Sequence, residues 1–183
     1  VQGTINQSTG YSQVRLKRYR NGSLQNTLYI NLDYVNGVAT YDITDEIPAE
    51  LINYRFSLYG YKTLNETLLQ TANNVVAGDA YIVQGQSNAV ANMRGTYSTA
   101  NNADDPSNAP YRGFVRVYGN GSTTSNYTKG WFLGRGNVWY DTDGQTGQWA
   151  MRFASDLAGA TNVPICIING ANPSQRITYF LRN

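Results

Sequence analysis

A serine that follows an apolar segment is the residue of this chain best placed for covalent chemistry. Ser87 lies in Gly85-Gln86-Ser87-Asn88, directly after Val75–Gln84, which predicts a buried strand followed by a helix. The first amides and the positive dipole end of that helix would face an oxyanion, and ligands of open α/β sheets bind at such strand ends. From the residues alone, a helix cap at Ser87 or Asn88 explains the same pattern and is far commoner than a nucleophile.

The base that normally activates such a serine is missing, because the 183 residues include no histidine. Cys166 is the only cysteine, so the common zinc sites are excluded and a buried structural thiol is the simplest interpretation. The acidic stretches Asp104-Asp105 and Asp141-Thr142-Asp143-Gly144 do not supply a full set of calcium ligands. We therefore predict no metal and no cofactor.

The composition is typical of an extracellular, strand-rich protein. Apolar residues make up 41% and charged residues 14%, with 15 tyrosines and 18 glycines, which favours strands joined by many turns. The net charge of +2 is small, and the cluster Arg15, Lys17, Arg18 and Arg20 is interpreted as a solvated strand face, so nucleic acid is not expected as a partner. No apolar run has the length of a membrane span. We predict a secreted or periplasmic protein.

Two regions with different patterns follow one another along the chain. Residues 1–72 contain short alternating runs separated by turns such as Asn21-Gly22 and Asn36-Gly37, which predicts a small all-β sandwich. Residues 73–183 contain apolar strands at Val75–Gln84 and Ile165–Ile168, with a helix between them over Gly147–Ala158. This order predicts the first portion of an α/β parallel-sheet domain.

The predicted helix carries Trp149, Phe153 and Leu157 on one stripe, and Gly159 is a plausible stop. Between the two apolar strands, residues 94–147 are polar, with a probable strand at Phe114–Tyr118 and aromatic segments at Trp131-Phe132-Leu133 and Val138-Trp139-Tyr140. Long loops over an α/β sheet often line sites. Surface packing by its own aromatics is the commoner explanation for any single tryptophan.

The pair Gly78-Asp79, an apolar strand and then Gly85, Gln86, Ser87 and Asn88 resemble the nucleophile block of the SGNH hydrolase superfamily. More narrowly, they resemble the branch of sialate O-acetylesterases and acetylxylan esterases. The likeness extends to Trp149–Ile168 and spans about residues 73 to 183. It implies a flavodoxin-like sheet in which Ser87 attacks an ester carbonyl of an acetylated carbohydrate, with Asn88 capping the helix.

The resemblance also shows what this sequence lacks. Where the family usually has Gly-Gly-Thr after the second strand, the chain has Asn172-Pro173-Ser174-Gln175, and Pro173 has no N–H to donate to an oxyanion. The amides of Ser87 and Gly170 are then the expected oxyanion donors, although Gly170 is equally well explained as a tight turn. The family's Asp-x-x-His block is absent. We therefore expect a fragment whose partner is the carboxyl-terminal remainder of the hydrolase domain, in the same precursor or a separate chain.

Two functions are compatible with these observations. The first is a carbohydrate O-acetyl esterase acting through an acyl-enzyme at Ser87. The second is a non-catalytic carbohydrate-binding or adhesion protein that retains an esterase-like scaffold, with Trp131 and Trp139 stacking on sugars; Pro173 and the missing histidine favour it.

The isolated 183-residue chain is expected to show essentially no turnover of p-nitrophenyl acetate, because no histidine is present to deprotonate Ser87. The measurement is release of p-nitrophenolate followed at neutral pH, with the Ser87→Ala variant as control. Robust release by the parent chain that disappears in the variant would contradict the prediction.

Overall fold

The computed structural model describes residues 1–91, 102–119, 130–136 and 144–181. The described residues are mostly β-sheet with two α-helices. The chain divides into two compact units: unit 1 comprises Val1–Pro48 and Ile52–Val76, and unit 2 comprises Ala49–Leu51 and Ala77–Asn183. Each unit is described by itself.

Unit 1 is built from two antiparallel sheets. Strands β1 (Gln2–Asn6) and β4 (Val38–Asp42) form a two-stranded sheet. A four-stranded sheet has the order β3-β2-β5-β6. Its strands are β2 (Gln13–Arg20), β3 (Ser23–Asn31), β5 (Tyr54–Lys62) and β6 (Asn65–Val75). This arrangement is compatible with the predicted sandwich.

Turn chemistry and alternation explain why these residues form hairpins. At the turn between β2 and β3, Asn21 has φ 48° and Gly22 has φ 79°, the left-handed backbone that tight hairpins require and that Asn and Gly adopt most easily. One face of the larger sheet buries Val14, Leu16 and Leu58 together with Ile43. The side chains that alternate with them point to the other face, so the sheet is apolar on one side and polar on the other.

Unit 2 contains a four-stranded sheet of order β7-β10-β8-β9. Its strands are β7 (Asp79–Val83), β8 (Val115–Tyr118), β9 (Trp131–Leu133) and β10 (Ile165–Asn169). β10 pairs in parallel with both β7 and β8, while β9 is antiparallel to β8. The two apolar strands of the sequence are thus parallel neighbours, with Asn169 beside Val83 at their carboxyl ends.

A short helix, α1 (Ser87–Val90), follows β7, and a long helix, α2 (Gln148–Thr161), precedes β10. The face of α2 that packs against Ile165 and Ile167 consists of small residues and one methionine: Ala150, Met151, Ala154 and Ala158. The predicted aromatic stripe is not the buried one, since Trp149 is 47% exposed and the Phe153 ring meets Tyr81 edge-on. Small side chains let the helix lie close to the sheet, which explains why they face it.

α2 also continues past the predicted stop. Gly159 lies inside the helix, where a Cβ would come 2.4 Å from the Tyr111 ring, so this glycine is required for close packing. The helix ends at Thr161, and Asn162 adopts the left-handed conformation that terminates it.

Helix α2 covers one face of the sheet of unit 2, and no described α-helix covers the other, although Arg116 on that face is buried. That other face, which we call the open face, carries Ala80, Ile82, Arg116, Tyr118, Trp131, Leu133, Cys166 and Ile168. Ile82 is 72% exposed and Trp131 is 65% exposed. Within β7 only Val83 is buried. The prediction that both faces of this strand are covered by helices is therefore wrong for the described residues.

The predicted strand Val75–Gln84 is interrupted. β6 ends at Val75 and β7 begins at Asp79, and between them the backbone of Gly78 lies against Pro164 so closely that a Cβ would come 1.8 Å from the Pro164 carbonyl oxygen. The predicted division between residues 72 and 73 falls inside β6. The aromatic segment Val138-Trp139-Tyr140 lies outside the described residues.

Replacing Ile167 by alanine is expected to lower the free energy of unfolding of unit 2 by about 2–5 kcal/mol, because the side chain is fully buried between the sheet and α2. Ile82→Ala, on the exposed side of the neighbouring strand, is the matched control and should cost less than about 1 kcal/mol. Urea titration followed by tryptophan fluorescence measures both, since all three tryptophans lie in unit 2. Equal losses in the two variants would contradict the packing described for β10.

Candidate functional site

Ser87 is the first residue of α1 and follows the carboxyl end of β7 after a tight turn. The turn depends on Gly85, whose φ of 147° disfavours residues with a side chain and whose Cβ would come 3.0 Å from the Ala89 methyl group. Ser87 is exposed, and within the described residues its hydroxyl makes no hydrogen bond. The strand–turn–helix arrangement predicted around this serine is therefore present, and it presents the hydroxyl to solvent.

The helix that carries Ser87 is shorter than predicted and is capped differently. Gln86, in extended conformation, is its N-cap residue, and no side chain makes a capping hydrogen bond there. The predicted capping role of Asn88 is therefore wrong: Asn88 lies one residue inside the helix. The Gln86 carbonyl accepts from the amides of Ala89 and Val90, at 2.9 and 3.0 Å. After Val90 the helix ends, because Ala91 is left-handed with φ 48°. Four residues generate little macrodipole, so the expected dipole contribution is small.

The segment after β10 continues the hydrogen-bond ladder beyond the strand. The Gly170 amide donates to the Val83 carbonyl at 2.9 Å, and the Asn172 amide donates to the Gly85 carbonyl at 2.9 Å. The oxyanion role predicted for Gly170 does not fit this geometry, because its N–H is already used. Pro173 follows without an N–H, and Ser174 has a left-handed φ of 62°. The first amides of α1, including that of Ser87, are the donors that stay available beside the hydroxyl.

Asn169 is a residue of this site that the sequence patterns did not single out. Its Nδ2 donates to the carbonyl of Thr146 at 2.7 Å and to that of Ala89 at 3.5 Å. Its Oδ1 accepts from the Ala171 amide at 2.9 Å. One side chain therefore joins the end of β10 to α1, to the segment before α2 and to the following loop. The signal that points to it is a lone amide side chain ending an apolar strand.

The start of α2 also holds the segment around Ser87. The Trp149 Nε1 donates to the Asn88 carbonyl at 2.9 Å, and the Gln148 amide donates to the Ala91 carbonyl at 3.0 Å. Half of the Trp149 surface is exposed, so its indole serves as a hydrogen-bond donor to α1 more than as core. On the other side, the Gln84 side chain donates to the Phe180 carbonyl at 3.3 Å.

The described residues offer no grouping of side chains that would hold a metal ion. Within residues 1–91, 102–119, 130–136 and 144–181, no three histidine, cysteine or carboxylate side chains are grouped as metal ligands would be. Burial raises the pKa of the Cys166 thiol above its usual value, so the thiol is protonated at neutral pH.

Trp131 lies on the open face in edge contact with Tyr118, and Trp139 lies outside the described residues. None of the described helices has the length and apolar character of a bilayer span.

The likeness of this chain to known proteins is weak. Neither a family model nor a curated protein matches the sequence. Among solved structures, the chain is similar to a carbohydrate acetylesterase from Xanthomonas citri, with 16% sequence identity and a TM-score of 0.38. The match covers 97% of this chain and 37% of the esterase, so the chain spans well under half the length of that protein. A likeness of this degree assigns neither a family nor an activity.

Asn169→Asp is expected to lower the free energy of unfolding by about 1–3 kcal/mol, because it replaces the donor to two carbonyl groups by an acceptor. The matched control is Asn172→Asp in the same loop, whose side chain makes no hydrogen bond among the described residues; it should cost under about 0.5 kcal/mol. Urea denaturation gives both values, and amide hydrogen exchange at Ala89 to Ala91 reports whether α1 loosens. If the two variants lose the same stability, Asn169 does not hold the segment together.

Proposed function

We propose that this chain carries the nucleophile of a secreted serine esterase of the SGNH type that removes acetyl groups from carbohydrates. The observation that carries the proposal is the presentation of Ser87: an exposed hydroxyl at the first position of a helix, directly after the carboxyl end of a parallel strand. The motif Gly85-Gln86-Ser87-Asn88, which resembles that of sialate O-acetylesterases and acetylxylan esterases, supports the substrate class.

The proposed reaction has two steps. The Ser87 Oγ attacks the ester carbonyl while a base takes its proton, and the tetrahedral oxyanion that forms accepts a hydrogen bond from the Ser87 amide. The C–O bond to the sugar then breaks, the sugar oxygen takes the proton from the base, and the acetyl group stays on Ser87. In the second step the base takes a proton from water while the water oxygen attacks the acetyl carbonyl. The C–O bond to Ser87 then breaks, the Ser87 Oγ takes the proton from the base, and acetic acid leaves and ionises to acetate.

The base and a second oxyanion donor are supplied from outside these 183 residues in this proposal. The sequence has no histidine, and the Gly170 amide is used by the ladder to Val83. The surroundings of Ser87 offer a place for a further segment: β7 is an edge strand of the described sheet, and the open face beside it exposes Ile82 and Trp131. Parallel sheets normally have both faces covered, so a segment packed there would bury this apolar surface. We propose that the remainder of the hydrolase domain is that segment.

A second candidate function is a non-catalytic carbohydrate-binding protein that keeps an esterase-like scaffold. The observation that favours it is the state of the loop after β10, where Gly170 donates to Val83 and Pro173 has no N–H. A site without the donor expected after β10 would be a weaker catalyst, since removing one oxyanion donor costs about 10²–10³ in kcat. Trp131, 65% exposed on the open face, is the described aromatic that this function would use.

Covalent labelling separates the two functions. In the longest natural form of the protein, a fluorophosphonate probe is expected to attach to Ser87, giving one modified peptide by mass spectrometry, and Ser87→Ala should abolish the adduct. Ser12→Ala, which changes another exposed serine, is the matched control and should leave labelling unchanged. Failure to label under conditions that modify a control serine hydrolase would contradict the esterase proposal and favour the carbohydrate-binding protein.

A further inference from the structure

The outward face of the four-stranded sheet of unit 1 carries an ordered set of tyrosines and cations. We call it the tyrosine–cation face; its members are Gln13, Arg15, Lys17, Tyr19, Tyr29, Arg55, Tyr59, Tyr61 and Glu66. These residues alternate with Val14, Leu16 and Leu58, which are buried in the core on the opposite side. The side chains of this face are therefore not part of the apolar core of unit 1.

Each cation of the face is held over an aromatic ring. The distances to the ring centroid are 3.5 Å from the Arg15 guanidinium carbon to Tyr61, 4.8 Å from the Lys17 ammonium nitrogen to Tyr59, and 3.9 Å from the Arg55 guanidinium carbon to Tyr19. Burial and a hydrogen bond with Tyr59 raise the pKa of the Tyr19 hydroxyl. Cation–π contact fixes these side chains before any ligand arrives, which lowers the entropy cost of binding.

The face has more positive than negative charge. Glu66 is its carboxylate, and it accepts from Arg15 at 3.1 Å and from Lys17. These cations, Lys17 most, hold the pKa of Glu66 below its usual value, so the carboxylate stays ionised. Arg55 has no carboxylate partner among the described residues. Three cations and one carboxylate leave the face with an excess of positive charge, which is complementary to an anion.

The face also offers an open aromatic ring. Tyr29 is 62% exposed. It lies on β3 directly opposite Arg15 of β2, and Tyr59 lies opposite Arg15 on the other neighbouring strand, β5. Because neighbouring strands lie about 4.8 Å apart, the two tyrosines are separated by about 10 Å across the sheet, with Arg15 at the register position between them. Rings spaced across one face of a sheet suit an extended ligand with repeated apolar faces.

We propose that the tyrosine–cation face binds an acidic polysaccharide, one whose pyranose units carry carboxylates. The C–H faces of the sugar rings pack on Tyr29 and its neighbours, and the carboxylates pair with Arg55 and with the charge that Glu66 leaves unneutralised around Arg15 and Lys17. The planar guanidinium of Arg55 is suited to a carboxylate because it donates two parallel hydrogen bonds. This binding is independent of Ser87, so it holds whether or not the esterase proposal does.

The test uses the 183-residue chain and polygalacturonate as the probe, with highly methyl-esterified pectin as the uncharged counterpart and a single-stranded oligonucleotide as a different polyanion. Binding is measured by affinity electrophoresis and titration calorimetry at low and high salt. Tyr29→Ala and Arg55→Gln should each weaken binding to polygalacturonate by about tenfold. Matched controls are Tyr179→Ala and Arg176→Gln, exposed residues of unit 2 that should leave binding unchanged. Circular dichroism and the urea midpoint verify that each variant is folded.

Three results support the proposal: binding to polygalacturonate, its loss on methyl esterification, and its weakening by salt, since exposed ion pairs are screened. Four results overturn it. No binding, or binding that the two variants leave unchanged, removes the face as a site. Equal binding of esterified pectin means that carboxylates are not recognised. Tighter binding of the oligonucleotide, lost in the same variants, identifies a nucleic-acid surface instead. Labelling of Ser87 by fluorophosphonate is a separate measurement, so failure of this proposal can be distinguished from failure of the esterase proposal.

Discussion

The parallel pairing of β7 with β10 is the constraint on which the candidate site depends. The ladder begins where Gly78 lies against Pro164 and continues past both strand ends, through the amides of Gly170 and Asn172. Because these hydrogen bonds fix the backbone up to Gly85, the direction in which the chain enters α1 is set by the sheet. Ser87 is therefore presented by sheet geometry, and helix capping contributes little to its position.

The same ladder limits the chemistry of the site. Backbone amides near a nucleophile can either complete the fold or stabilise an oxyanion, and each N–H serves one acceptor well. In this chain the amides after β10 are used for the fold, whereas those at the start of α1 are not. Asn169 reinforces this choice, since its amide group holds α1 and the following loop together. The backbone around Ser87 is thus held by hydrogen bonds, and the amides of Gly170, Ala171 and Asn172 are not left over for an oxyanion.

Local signals explain which parts of the fold the sequence predicts. The Asn-Gly turns and the alternating strands of unit 1 have causes within a few residues. The structure confirms both turns: Asn21-Gly22 joins the hairpin of β2 and β3, and Asn36-Gly37 forms a tight turn before β4. The sequence predicts that α2 ends at Gly159, whereas the helix continues to Thr161 and Asn162 terminates it, because glycine and asparagine can both follow the last turn of a helix. A distant ring, Tyr111, decides between them by requiring a glycine inside the helix.

Burial was harder to predict because α2 has two stripes with helical spacing. Large aromatic residues at Trp149 and Phe153 repeat every four residues, and so do Ala150 and Ala154. Hydrophobicity alone predicts that the aromatic stripe is buried. The alanine stripe packs against the sheet instead, because small side chains let the helix lie closer to the strands. The hydrogen bonds that Asn169 donates could not be predicted either, since they go to the carbonyl groups of Ala89 and Thr146, which are far away in sequence.

The two units use tyrosine and apolar side chains in different ways. In unit 1 the exposed aromatic rings are fixed by cations in a polar array, which water and a polar ligand both tolerate. In unit 2 the open face exposes isoleucine and tryptophan without such partners, and exposed apolar surface of this kind is normally buried against other protein. The chemistry of the surfaces therefore separates their roles: the face of unit 1 suits a solvated glycan, and the open face of unit 2 suits a packed segment. Under the proposed function, a catalytic centre at Ser87 would form where that segment meets the end of β7, so the segment that supplies the base would be the one that also covers the open face.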